Sequence, residues 1–225
     1  MQVLYEDNHI IAVSKTCNEI VQGDKTGDEP LSETVKAYIK TKYNKPGDVF
    51  LGVTHRLDRP TSGVVLFART SKALARLNDM FKSHEQIRKT YWAIVEHAPK
   101  DPEGRLVNYL VRNEKLNKSF ITSSKSDSAK QAILSYRTLA QGDRYTLLEI
   151  NLETGRHHQI RCQLAAIGCV IKGDLKYGAK RSNPDGGICL HARKVEFVHP
   201  VSKQDICIVA PVPDDNLWHA LTDNL

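Results

Sequence analysis

The stretch AKQAILSYRTLAQGDRYTLLEINL, residues 129–152, constrains the fold more than any other part of the chain. Two runs rich in β-branched, aromatic and leucine side chains flank Gln141-Gly142-Asp143, the pattern of a hairpin with a tight turn. A second hairpin is read in CLHARKVEFVHPVSKQDICIVAPVP, residues 189–213, turning between His199 and Gln204. VLYEDNHIIAVSK, residues 3–15, reads as two short strands joined by the polar turn Glu6 to His9. GVVLFAR (63–69) and KTYWAIVEH (89–97) are further strands, the first apolar throughout and the second β-branched and aromatic.

Helices are fewer. LSETVKAYIKTKY (31–43) puts Leu31, Val35 and Tyr38/Ile39 on one face behind Pro30. SKALARLNDMFKS (71–83) has Leu74, Leu77 and Phe81 on one face and Ser71 as its expected N-cap. TGRHHQIRCQLAAIG (154–168) reads as a helix ended by Gly168. Strands outnumber helices and tight turns join most neighbours, so the expected class is α+β, a mixed, mainly antiparallel sheet flanked by helices. The 225 residues suit one domain, with any division into two lobes expected near residues 100–130.

Several function classes are excluded. The apolar runs fall far short of a membrane span, and the N-terminus has no charged region followed by a long apolar one, so no membrane association or signal peptide is expected. There is no phosphate-cradling Gly-x-x-x-x-Gly-Lys-Ser/Thr, no Gly-x-Gly-x-x-Gly and no His-Glu-x-x-His. Ser62 stands in Thr-Ser-Gly, outside a Gly-x-Ser-x-Gly elbow. The 5 cysteines form no Cys-x-x-Cys; His158 and Cys162, one helical turn apart, are too few for a metal site. Reduced thiols, no metal, no cofactor and a cytoplasmic location are expected.

The formal charge of +6 points to an anionic partner. Residues 105–130 concentrate it, with Arg105, Arg112, Lys115, Lys118, Lys125 and Lys130 against Glu114 and Asp127. This segment is either a solvated loop or hairpin, or a surface that faces phosphates.

The chemistry-bearing stretch is THRLDRPTSG, residues 54–63, in which Asp58 stands between Arg56 and Arg59. An aspartate before a strand is commonly a turn residue that bonds its own backbone. The flanking arginines favour its ionised form, and a second motif, ETGRHHQIRCQL (153–164), supplies Arg156, His157, Gln159 and Arg161. Arg161 reads either as a surface charge or, standing among Ile160, Leu164 and Ile167, as a partly buried guanidinium that needs a carboxylate.

HRLDRPTSG (55–63), RKTYWAIV (88–95), TGRHHQIRCQLAAIGCVIKGDLKYG (154–178) and CLHARKVEFVHP (189–200) resemble, in order, the signature motifs of the RluA family of pseudouridine synthases. The resemblance spans nearly the whole chain, and its first and third motifs are the specific ones. It implies isomerisation of uridine in ribosomal or transfer RNA to pseudouridine without a cofactor, in the pseudouridine synthase catalytic fold.

Residue by residue, the resemblance makes Asp58 the essential nucleophile or base and Arg161 the partner of that carboxylate. It makes Tyr91 the ring that stacks on the target base, and Leu190 an apolar wall of the base pocket. Arg56 matches the arginine that fills the gap left by the flipped nucleotide. Apart from the resemblance, Arg59 is expected to contact phosphate and Gln159 to join the substrate-binding set. A base must be extruded at a cost of a few kcal/mol, and stacking on an aromatic ring returns about 1–3 kcal/mol. The chain departs from the family at His157, where threonine is usual, and at Val170, where proline is common. A single catalytic domain over residues 1–225, without the small S4 RNA-binding domain of many relatives, and a monomeric state are expected. RNA recognition is then expected to draw on Lys115, Lys118 and Lys125. The other readings are a silent RNA-binding protein, which the Asp58, Tyr91 and Arg161 set opposes, and a nucleoside or N-glycosidic hydrolase, which ordinarily needs paired carboxylates or a metal.

Overall fold

The computed structural model describes residues 1–83, 86–123, 128–223 and 225. Its elements, in chain order, are β1 (Gln2–Glu6), β2 (Ile10–Lys15), α1 (Leu31–Lys42), β3 (Gly52–Val53), β4 (Ser62–Ala68) and α2 (Ser71–Ser83). Then come β5 (Ile87–Val95), β6 (Glu103–Asn113), β7 (Lys118–Thr122), β8 (Lys130–Gln141) and β9 (Thr146–Leu152). Last are α3 (Gln159–Ala166), a 3₁₀ turn (Leu175–Tyr177), β10 (Leu190–Val198), β11 (Asp205–Val209) and α4 (Asn216–Thr222). The class is α+β, as the sequence predicts.

The chain forms two compact units, one of residues 1–88 and 192–211, the other of residues 89–191 and 212–225. The division therefore falls at 88/89, 191/192 and 211/212, not at 100–130. Within that stretch, residues 103–122 form the β6–β7 hairpin, and β6 also pairs with β8 from Glu103 to Leu110.

In the first unit the strand order is β1-β2-β4-β10, with β3 on β4 and β11 on β10. Ile10, Ile11, Ala12 and Val13 of β2 and Val65 to Ala68 of β4 are fully buried, so both faces of these strands are covered and they read as unbroken apolar runs. Leu77 and Met80 of α2 pack with Leu66 and Val64 of β4 and with Val195 and Phe197 of β10. Helix α2 is capped by Thr70, whose hydroxyl accepts from the Ala73 N–H at 3.2 Å, one residue before the expected Ser71.

The second unit has strand order β5-β9-β8-β6-β7. The β8–β9 hairpin matches its sequence pattern, its closing Gly142 N–H donating to the Tyr145 carbonyl at 2.9 Å. Helix α3 ends at Gly168, which adopts φ +82. Helix α4 is not expected from the sequence: its 7 residues carry one buried tryptophan, Trp218, and too little periodicity to announce a helix, although Asp215 caps it.

Candidate functional site

Asp58 lies in the first unit, in the loop 54–61 between β3 and β4. Side chains extend the short β3–β4 ladder into this loop. The Thr54 hydroxyl donates to the Leu66 carbonyl at 2.5 Å, and the Leu66 N–H donates to His55 Nε2 at 3.0 Å. The His55 ring stacks on Phe81 of α2 with centroids 4.6 Å apart. The chain then turns at Asp58, whose carbonyl accepts from the Thr61 N–H at 3.0 Å. Asp58 is half-buried and Arg56 exposed.

One buried cation holds the backbone of this turn. Lys15, the last residue of β2, is 1% exposed. Its ammonium donates to the carbonyls of Thr16 at 2.9 Å, Arg59 at 2.9 Å and Thr61 at 2.6 Å, with that of Asp58 at 3.4 Å. Burial pushes the ammonium down to about 8. Gly63 follows at φ +117, where an added Cβ would collide with the Ala192 backbone, so the position requires glycine. From the sequence, Thr61, Ser62 and Gly63 are the residues that aim Asp58. Lys15 has no expected part in it, its one advertisement being a cation that ends an apolar strand.

Arg59 is engaged within the protein. Its guanidinium donates to Asp28 at 2.6 Å and to the Thr26 hydroxyl at 2.8 Å, with Asp24 at 3.8 Å. Arg59 thus clasps the 24–28 loop through both of its carboxylates.

In the second unit Tyr91 lies on β5 opposite Ile150 of β9 and is 9% exposed. Lys89, two residues earlier and so on the same strand face, is pushed down to about 8 by burial. Leu190, at the start of β10, is buried.

Arg161 sits in α3 and is 5% exposed, so the buried reading is the one realised. Asp174 grips it side-on, with Nε to Oδ2 at 2.7 Å and Nη2 to Oδ1 at 2.8 Å. This is a planar bidentate pair, the form in which a buried guanidinium is best compensated. The sequence points to Asp58 as the carboxylate for Arg161 and not to Asp174, which the Gly-Asp pair in IKGDLKYG could have flagged. Arg161 Nη1 lies 2.9 Å from His158 Nε2, and His158 Nδ1 lies 3.1 Å from the Tyr177 hydroxyl. Cys162, the other half of the candidate metal pair, donates its thiol to the Ser119 carbonyl at 3.3 Å. Among the described residues no group of three or more His, Cys, Asp or Glu could hold a metal ion.

Gln159 is buried and its amide is spent on the protein. The oxygen accepts from the Thr154 hydroxyl at 2.8 Å and the Arg156 N–H at 2.9 Å, and the nitrogen donates to the Ile133 carbonyl at 3.0 Å. These bonds fasten the entrance of α3. Lys115 is exposed in the β6–β7 turn. Lys118 lies over the rings of Tyr177 at 4.7 Å and Phe120 at 5.4 Å. Lys125 lies outside the described residues. No helix among the described residues is long and apolar enough to cross a membrane.

Residues 9–166 match the family model described as RNA pseudouridylate synthase. Over 96% of its length the chain is 33% identical to ribosomal large subunit pseudouridine synthase D of Xylella fastidiosa, covering 67% of that protein. Over 98% of its length it is 32% identical to tRNA pseudouridine synthase C of Vibrio cholerae, covering 94% of that protein. Among solved structures, human RNA pseudouridylate synthase domain containing 4 shares its fold, with a TM-score of 0.79 at 22% identity over 95% of this chain and 89% of that one.

Proposed function

Because this chain belongs to the RNA pseudouridylate synthase family, isomerases of uridine in RNA, we propose that Asp58, Tyr91 and Arg161 carry that reaction on a uridine of ribosomal or transfer RNA. The observation that supports this reading most is that all three lie inside the matched region, and that Arg161 is a buried arginine set in a bidentate pair.

The reaction breaks the N-glycosidic bond, turns the uracil over, forms a C–C bond to C1′ and releases the C5 proton to solvent while N1 gains one. Atoms and electrons balance with no added reagent. Asp58 attacks the ribose or the base as an ionised carboxylate, and Arg161 serves to keep it ionised. Tyr91 stacks on the flipped base beside the apolar side chain of Leu190, and the exposed Arg56 stacks where the base had been. Lys115, Lys118 and Lys125 contribute phosphate contacts. The enzyme works as a monomer in the cytoplasm.

The test is tritium release from RNA transcripts carrying [5-³H]uridine, with the products separated as nucleosides. Conversion of uridine to pseudouridine at a defined position, lost on Asp58→Asn, is the expected result. Release of free uracil would instead identify an N-glycosidic hydrolase, and binding without tritium release would identify a silent RNA-binding protein.

A further inference from the structure

Resting on the family reading above, we propose that His158 is a positioning residue for Arg161, acting as a neutral imidazole locked in its Nδ1–H tautomer by Tyr177.

The hydrogen bonds leave one consistent assignment. A guanidinium has donors and no acceptor, so His158 Nε2, 2.9 Å from Arg161 Nη1, accepts. An imidazolium there would turn a second donor, and a second positive charge, toward the guanidinium. The ring is therefore neutral and carries its hydrogen on Nδ1, which donates to the Tyr177 oxygen at 3.1 Å. That oxygen also accepts from the Ser119 N–H at 2.9 Å and donates its own hydrogen to the Ser119 carbonyl at 3.1 Å. Burial, the largest influence on the Tyr177 phenol, pushes its pKa well up and keeps that hydrogen in place.

Two further features mark the arrangement as built. His158 is a non-glycine residue held at φ 52 and ψ 27, a left-handed conformation that persists where surrounding contacts impose it. It is also 7% exposed, and its ring stacks on His157 at 3.8 Å. His157 is tied in turn to Ser119, whose hydroxyl lies 2.9 Å from His157 Nδ1.

The guanidinium is thus held on two edges. Asp174 takes Nε and Nη2, and His158 takes one hydrogen of Nη1. Together the two partners engage all three nitrogens of the group. The chain from Arg161 through His158 and Tyr177 ends on the backbone of Ser119, in the strand that carries Lys118.

The experiment is two-bond ¹H–¹⁵N correlation spectroscopy on the full chain with ¹⁵N-labelled histidine at neutral pH, with the His158 signals assigned by their loss in His158→Gln. The expected wild-type pattern is a protonated Nδ1 and an unprotonated Nε2, the reverse of the tautomer favoured in water. Tyr177→Phe, which leaves Nδ1–H without its acceptor, should shift the His158 Nδ1 signals and lower the single-turnover rate at saturating RNA about tenfold or more, with KM nearly unchanged. His158→Gln, which can still offer an oxygen acceptor to Nη1, should retain more of that rate than His158→Ala. An Nε2–H tautomer or an imidazolium in the wild type overturns the proposal, as does wild-type turnover in Tyr177→Phe. Should Tyr177→Phe not fold, the wild-type spectrum decides alone. A wild type that shows the Nδ1–H pattern but converts no uridine would overturn the family reading of activity and leave this clamp standing.

Discussion

The Asp58 loop and the Arg161 helix entrance are held by opposite means. The loop is fixed through its backbone, by one buried ammonium that gathers the carbonyls of Thr16, Arg59 and Thr61 with that of Asp58 nearby. Arg161 is fixed through its own guanidinium, by Asp174 and His158. The difference separates function from stability. Removing the Asp58 carboxylate leaves the lysine its bonds to the carbonyls, whereas removing either member of the Arg161–Asp174 pair strands a buried charge.

Changes at Asp58, the carboxylate proposed to react, should be the most damaging to turnover and the least damaging to the fold. Asp58→Asn is expected to lower conversion by about a hundredfold or more, to keep RNA affinity within a few-fold, because phosphate contacts dominate binding, and to melt like wild type. Conversion within tenfold of wild type, or a clear fall in melting temperature, would break the contrast from the loop side.

Asp174→Ala should cost about 3–5 kcal/mol, read by denaturant unfolding, together with most of the activity. If this variant is as stable as wild type, Arg161 does not depend on Asp174 and the contrast fails from the helix side.

Lys15→Met should destabilise by about 1–3 kcal/mol, since buried carbonyls lose their donor but a buried charge also disappears. The pH dependence sharpens the test. The folded ammonium lies near 8 and the unfolded one near 10.5, so between these values the unfolded chain binds more protons and stability rises with pH. The rise attributable to this group should be present in wild type and missing in Lys15→Met. Equal slopes for the two proteins would show that Lys15 titrates normally.

The smallest effect is expected on the surface. Changing Lys115 and Lys118 together to Ala should raise KM for RNA and flatten its log–log salt dependence by roughly 0.7–0.9 for each phosphate no longer neutralised, leaving the saturated rate within a few-fold. An unchanged slope would make the β6–β7 hairpin an ordinary solvated one.

Much of this was legible in the residues alone. Alternating runs announced the β8–β9 and β10–β11 hairpins, because a half-buried strand must alternate. The motif around Asp58 and the HQIR stretch pointed to the family. What the sequence could not decide was who holds whom. Lys15 is 43 residues from Asp58, and Asp174 is 13 from Arg161, across the end of a helix. Arg59 and Gln159 each bond protein atoms that their motifs do not announce, because an arginine or an amide in a motif carries no sign of which atoms will satisfy it. Local periodicity is a property of the chain, readable residue by residue. Burial of a charge, and the partner that burial then demands, exist only after distant segments have excluded water from the same place.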